Sequence, residues 1–474
     1  MPAQPERQAA EKPGRLRRWL PWLLLLAALL RLGLGAGLFL ASPGGGDQAR
    51  LEALAQRLAA PDAVVYHGDG EKIYQFYRDG KVRHLPPELN MQRFGLLLAG
   101  LYALATPHPL VAVGFNALCA LALGWLAYGL ARRLGQPPGR ASGLALLLCL
   151  WPPSLAWAAL PLKEPLGLML CLAHLYCLTA LLDGAERERR RGLLLGLGYL
   201  ASVAGLAFLR FYLGYFAILA ALAALAASLP PGREPTAPRP GWGQRALVLG
   251  LAVAVFIVCR PLHHDFAIYF LPGHSLPLAR PEGALTAPAP VAPPAAPAGS
   301  AGSAPAPAMT PEPAVIADPG LMDKARHYQR RFLEEAGRSL SPGAGQGGLL
   351  AGLGRALRDL LLFPHPWQRW PETPAWGLVN LAVAGTALVW WLMLPGLALG
   401  AWRLGRGRPA PVLTVLFWAL MGVALALVVV NRGTLYRLRD LFLLPGLLLW
   451  LPAAYPRLGR WTGKNPKAAG PPGR

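Results

Sequence analysis

The chain has 474 residues, 54% of them hydrophobic and only 15% charged, with a mean hydropathy of +0.36. Soluble domains carry about a quarter charged residues, so this composition excludes an ordinary soluble enzyme and points to a polytopic membrane protein. The formal charge of +22 is no nucleic-acid signal, because the basic residues fall in short clusters between apolar runs, the pattern of membrane topology.

In chain order, residues 1–18 form a basic tail containing Arg15, Arg17 and Arg18. The apolar run from about Trp19 to Ala41 is long for a signal peptide and lacks a clear small-residue cleavage site. It reads as an uncleaved first span. Arg31 lies inside it, and a mid-span Arg usually faces other helices or a wet cavity.

Residues 42–92 form a small outer loop. "GGGDQARLEALAQRL" predicts a short helix beginning near Asp47. "VVYHGDGEKIYQFYRDGKVRHLP" has β-prone runs punctuated by Asp-Gly at 69–70 and 79–80, which predicts a hairpin.

Later apolar runs lie near 94–106, 108–131, 142–160, 166–182, 193–209, 213–229, 246–260, 376–400, 410–430 and 441–455. The run at 94–106 has thirteen residues, short for a span, and is expected to be an outer helix leading into 108–131. With that choice every basic cluster falls on the cytoplasmic side. These clusters are Arg132, Arg133 and Arg140; "ERERRR" at 186–191; Arg233, Arg239 and Arg245; Arg403, Arg406 and Arg408; and the tail at 457–474. The expected fold is therefore an all-α polytopic membrane protein with about ten transmembrane helices and both termini inside.

The organisation expected is a membrane module over 19–260, an outer loop at 261–375, membrane helices over 376–456 and the final tail. Within the outer loop, the Ala/Pro/Gly/Ser linker at 284–316 cannot bury a core and is expected to be disordered and extended. "DKARHYQRRFLEEA" at 323–336 reads as a polar helix. "GLLAGLGRALRDLLLF" places Leu349, Leu350, Leu353, Leu357, Leu360 and Leu361 on one face, which suits a helix lying in the membrane interface. The tryptophans of "FPHPWQRWPETPAW" suit the headgroup layer.

The same topology puts three basic outer turns against the grain of the charge rule. Lys163 and Glu164 sit at one, Arg210 in "FLRFYLG" at another, and Arg432, Arg437 and Arg439 of "NRGTLYRLRD" at the third. Arg binds phosphate bidentately and Lys acts as a compact charge beside it, so these residues can clasp the phosphate of a lipid carrier. The bland alternative is contact with ordinary headgroups or helix-end carbonyls. Sugar transfer from a lipid phosphate also needs a carboxylate to accept the proton of the attacking hydroxyl. Asp47 is the best-placed candidate, just past the first span, although Asp after a glycine turn also serves as a helix N-cap. Glu164, Asp69 and Glu71 follow, and Asp440 after them.

Cys119, Cys149, Cys171, Cys177 and Cys259 all lie in apolar stretches and read as small buried apolar residues. "HHD" at 263–265 lacks the second spaced cluster of a metal site, and His174 reads as a core histidine. No Walker loop, HExxH, GxSxG or nucleotide fingerprint is present. No cofactor is expected; a divalent metal ion stays open.

Asp47 in the first outer loop, "LVAVGFNALCALALGWLAYGLARRLG" at 110–135, "WPPSLAWAALPLKEPL" at 151–166, "FPHPW" at 363–367 and "NRGTLYRLRD" before the last span together resemble the GT-C membrane glycosyltransferases. These are enzymes that use polyprenyl-phosphate sugars, and they include protein mannosyltransferases and bacterial lipid A aminoarabinose transferases. The resemblance implies that the first-loop acid, here Asp47, is the catalytic base and that outer basic residues bind the donor phosphate. It further implies a bacterial inner-membrane enzyme acting at the outer face, with a lipid-linked sugar donor and an extracytoplasmic glycan, lipid or protein as acceptor. The chain departs from the pattern in having no second Asp beside Asp47, and in carrying the 261–375 loop where some relatives have a C-terminal soluble domain. Two rivals remain beside this expectation: an O-antigen or polysaccharide polymerase or ligase, and a non-enzymatic flippase or transporter of lipid-linked sugars, which would need no base.

Overall fold

The computed structural model describes residues 15–57, 62–81, 93–134, 136–183, 189–227, 242–259 and 377–407, with isolated positions within 354–362 and 415–446. Every regular element among the described residues is an α-helix. The N-terminal part runs α1 (Arg15–Leu40), α2 (Asp47–Arg57), α3 (Asp62–Arg78), α4 (Arg93–Leu104) and α5 (Pro109–Arg133). Then follow α6 (Pro138–Cys149), α7 (Pro152–Ala158), α8 (Glu164–Asp183), α9 (Arg189–Leu209), α10 (Phe211–Ala227) and α11 (Trp242–Cys259), with α12 (Gly377–Gly407) at the C-terminal side.

Four stretches among the described residues are long and apolar enough to cross a membrane: Arg18–Leu40, Pro109–Arg133, Glu164–Leu182 and Gly192–Leu209. Their outward faces carry large apolar side chains. Leu25, Leu26, Leu29 and Leu30 of α1 and Leu193, Leu194 and Leu197 of α9 are exposed on the protein surface. Such continuous apolar faces are unfavourable in water and suited to lipid, which gives the chain its transmembrane character.

The ends of these helices meet in an ordered way. Phe39 near the end of α1, Ala112 near the start of α5, Leu160 and Leu162 just before α8, and Leu209 at the end of α9 share one buried cluster. α1 and α9 therefore run towards this end and α5 and α8 away from it, with α6 and α7 between α5 and α8 in the chain. At this end α2, α3 and α4 close over the bundle with Leu51, Leu54, Ala63, Tyr66, Phe94, Leu98 and Tyr102. The larger core runs through α1, α5, α6 and α8 to α11, where Leu24, Ala127, Leu172, Tyr199, Val203 and Ala221 are buried, and it reaches Trp390 of α12. Cys119, Cys149, Cys171 and Cys177 are buried free thiols within this packing.

Two sequence expectations are corrected. The described part of the segment expected to form a hairpin is helical, within α3 up to Arg78. Its β-prone residues are overruled by tertiary packing, since Tyr66 and Ile73 are buried on the helix face. The first Asp-Gly pair marks a close helix crossing and no turn: a Cβ on Gly70 would lie 2.8 Å from Leu98 Cβ on α4. The second pair does end an element. Gly80 takes φ +69°, with Gly80 N bonded to Tyr77 O and Lys81 N to Phe76 O, a Schellman cap on α3. The second correction concerns the run 142–160, which is broken into α6 and α7 at Leu150 and Trp151. Pro152 disfavours helical backbone at Trp151 and then serves as the first residue of α7. The short helix at 94–106 and the helix starting at Asp47 are found as expected.

Arg31 holds the break together. It is 1% exposed. Its guanidinium donates to Cys149 O, where α6 ends, and to both the carbonyl (3.1 Å) and the hydroxyl (2.8 Å) of Ser154 in α7. A helix end inside a bundle leaves carbonyls without partners, and this side chain supplies the donors. Beside it, Asn116 of α5 donates to Leu160 O at 2.8 Å and fixes the exit from α7. The tails 1–14 and 457–474, the "HHD" at 263–265, the linker 284–316, the polar helix expected at 323–336 and most of the runs 410–430 and 441–455 lie outside the described residues. Of the expected interfacial helix, Leu361 and Leu362 are described, and their carbonyls accept from the Trp390 and Trp391 indoles of α12.

Candidate functional site

At the end closed by α2 to α4, the chain reversals bring the polar residues together. Asp47 is the first residue of α2, placed there by the glycine turn before it; the Arg50 amide bonds to Gly46 O. Its side chain is 53% exposed, and Oδ2 lies 3.2 Å from His108 Nε2. His108 is the N-cap of α5, in extended conformation before Pro109, and its Nδ1 accepts the Leu110 amide at 3.1 Å. The imidazole also packs edge-on against Phe39 at the end of α1. An acid on one helix start and a histidine on another are thus anchored to three elements.

Next to this pair, α3 presents Tyr66 and His67. The Tyr102 hydroxyl of α4 and His67 Nδ1 are hydrogen-bonded at 2.7 Å, and burial keeps the Tyr102 phenol above its usual range, so it stays protonated. Burial, with a further push from nearby His108, pulls the His67 pKa down to about 4 against an opposing pull from Asp47. The fold therefore holds His67 neutral. An unfolded histidine titrates near 6.5. As pH falls from there towards 4, the unfolded chain takes up a proton that the folded chain refuses, and stability is lost across that window, on the order of 2 kcal/mol by pH 5. Thermal unfolding of detergent-solubilised protein at pH 7.5 and pH 5 checks this. His67→Asn, which keeps a hydrogen-bonding amide in reach of Tyr102 and cannot titrate, should flatten the dependence; an equal slope in that variant would place the titrating group elsewhere.

On the other side of Tyr66 lies the turn between α7 and α8. Lys163 Nζ sits 4.7 Å from the centre of the Tyr66 ring, a cation–π contact, and the side chain is half-buried. Glu164 opens α8, where a carboxylate suits the helix dipole. It is only 8% exposed and lies 3.5 Å from Arg210 Nη2, itself 16% exposed, at the junction of α9 and α10. Asp47, Lys163, Glu164 and Arg210 are thus brought to one end of the bundle, Asp47 against His108, Lys163 against Tyr66 and Glu164 against Arg210.

The remaining sequence candidates are placed differently. Arg439 is 1% exposed, stacked 5.1 Å from the Trp390 ring, with Nη2 3.6 Å from Asp440. Asp440 in turn accepts from the Trp151 indole at 3.1 Å, beside the break in α6–α7. These two form a second polar cluster, anchored on α12 and Trp151. Asp69 and Glu71 lie on α3; Glu71 is half-buried and takes a long hydrogen bond from Gln75 at 3.5 Å. Arg432 and Arg437 lie outside the described residues. His174 is fully buried against the Tyr199 ring, as a core histidine would be. Among the described residues no group of three or more His, Cys, Asp or Glu could hold a metal ion.

Reading the sequence missed His108, His67 and Tyr66. One local signal for His108 existed: a histidine directly before a proline at the start of an apolar run is an N-cap position. Comparison with protein family models, with characterised proteins and with solved structures finds no match.

Proposed function

We propose that this chain is a membrane glycosyltransferase of GT-C type that moves a sugar from a polyprenyl-phosphate donor to an extracytoplasmic acceptor. The observation that carries the reading is that the solvent-open Asp47 carboxylate and the cations Lys163 and Arg210 are carried to the same end of an apolar helix bundle. A lipid-phosphate sugar needs this pairing: an apolar wall for the tail, cations for the phosphate and an open carboxylate for the acceptor hydroxyl. Asp47 suits the base better than Glu164, because Glu164 is buried and already paired with Arg210. The resemblance of the quoted motifs to GT-C enzymes points the same way. In this reading the chain has about ten spans with both termini inside a bacterial inner membrane, and the Asp47 end faces outward.

Purified protein incubated with a panel of polyprenyl-phosphate sugars and candidate acceptors, followed by mass spectrometry, tests the activity. Movement of donors between vesicle leaflets without any new glycoside would instead establish a transporter. Orientation has its own check. Cysteines placed at the exposed Gly45 and Gly139 flank opposite ends of the bundle. In cells stripped of any outer membrane, a membrane-impermeant thiol reagent should label the first and spare the second. Labelling of Gly139→Cys alone would turn the site to the cytoplasm.

A further inference from the structure

We infer that His108 is the positioning residue of the Asp47 carboxylate, holding Oδ2 through an Nε2–H hydrogen bond so that Oδ1 remains for the acceptor hydroxyl. The geometry assigns the tautomer. Nδ1 accepts the Leu110 amide, so in the neutral ring the proton sits on Nε2, which lies 3.2 Å from Asp47 Oδ2. The ring cannot swing away easily, because its backbone is fixed in the cap of α5 before Pro109 and its edge rests on Phe39. Asp47, by contrast, is on an exposed helix start after three glycines and would sample several rotamers without that donor.

The consequence for chemistry rests on the transferase reading. The acceptor oxygen bonds to the anomeric carbon, and the bond from that carbon to the phosphate oxygen breaks. The electron pair leaves with the polyprenyl phosphate, which gains one negative charge. The hydroxyl proton passes to Asp47 Oδ1, which becomes a neutral carboxylic acid and later releases the proton to water. His108 stays a hydrogen-bond donor throughout and gives up no proton.

The test uses the full-length protein with two substitutions. His108→Gln keeps an N–H donor near the Nε2 position, while His108→Phe keeps a flat ring against Phe39 and removes the donor. His108→Phe is expected to lower kcat by about 10-fold or more with donor KM within about 2-fold, and His108→Gln to stay within about 3-fold of wild type. A second readout needs no activity. Labelling of Asp47 by a water-soluble carbodiimide, followed by peptide mass spectrometry, should be faster in His108→Phe than in wild type or His108→Gln, since the half-exposed carboxylate is no longer held at Oδ2 and both its oxygens are open to the reagent. Unchanged turnover and labelling in His108→Phe would overturn the inference. Equal impairment of both variants would also overturn it, since the N–H donor kept by Gln would then not restore the function. If no protein transfers any sugar but the labelling order holds, the His108–Asp47 pairing stands and the transferase reading falls.

Discussion

Asp47→Asn is expected to lower turnover by about 10²-fold or more while donor affinity stays nearly unchanged, the pattern of a lost general base. The substitution changes little else. Asn has the shape of Asp, and its side-chain oxygen can still accept from His108 Nε2, now 3.2 Å from Asp47 Oδ2. The site is half open, so no buried charge is left unpaired. The loss of an anion from the first turn of α2 costs about 0.3–1 kcal/mol, too little to unfold the chain. Expression and thermal midpoint should therefore hold while the rate collapses. Glu164→Gln serves as the contrast. It removes the ion pair to Arg210 at 3.5 Å and should disturb donor binding before it disturbs the chemical step. If Asp47→Asn turns over near the wild-type rate while Glu164→Gln is dead, the base lies on the 161–165 turn. Steady-state rates with a labelled donor, beside equilibrium donor binding, separate the cases.

Arg31→Met should cost several kcal/mol of stability, the largest structural effect of any single substitution considered. The methionine fills much of the space, but Cys149 O and both oxygens of Ser154 lose their donors. A buried acceptor left without a partner costs about 1–3 kcal/mol, and in a bundle facing lipid there is little water to replace it. Arg31→Lys should fall between, since an ammonium cannot span the break between α6 and α7 as a planar fork does. Because α7 leads directly into Lys163 and Glu164, the loosened break should also weaken donor binding. Unfolding in detergent, followed by heat or by denaturant, measures the first effect and donor titration the second. Stability of Arg31→Met within about 0.5 kcal/mol of wild type would mean that the break is held by packing alone.

How much of this was readable in the sequence depends on the range over which each feature is decided. The transmembrane helices were legible because hydropathy over about twenty residues is a local property: the apolar stretches now in α1, α5, α8 and α9 could hardly form anything else in lipid. The helix at Asp47 was legible for the same reason, and so was the Asp79-Gly80 turn that ends α3, where a positive φ needs glycine. The Pro152-Pro153 signal was equally local, but averaging over an apolar window hid the break it causes. Only the tertiary structure decided the rest. The valines and tyrosines of 64–77 favour strand by propensity, and they are helical because Gly70 lets α3 lie against Leu98 of α4. In the sequence Asp47 led Glu164 as the candidate base only by its place just past the first span. Packing separates them, since the end of α9 brings Arg210 to Glu164 and the start of α5 brings His108 to Asp47. A hydrogen bond between residues far apart in the chain depends on how whole helices reverse and settle, which no short stretch of sequence encodes.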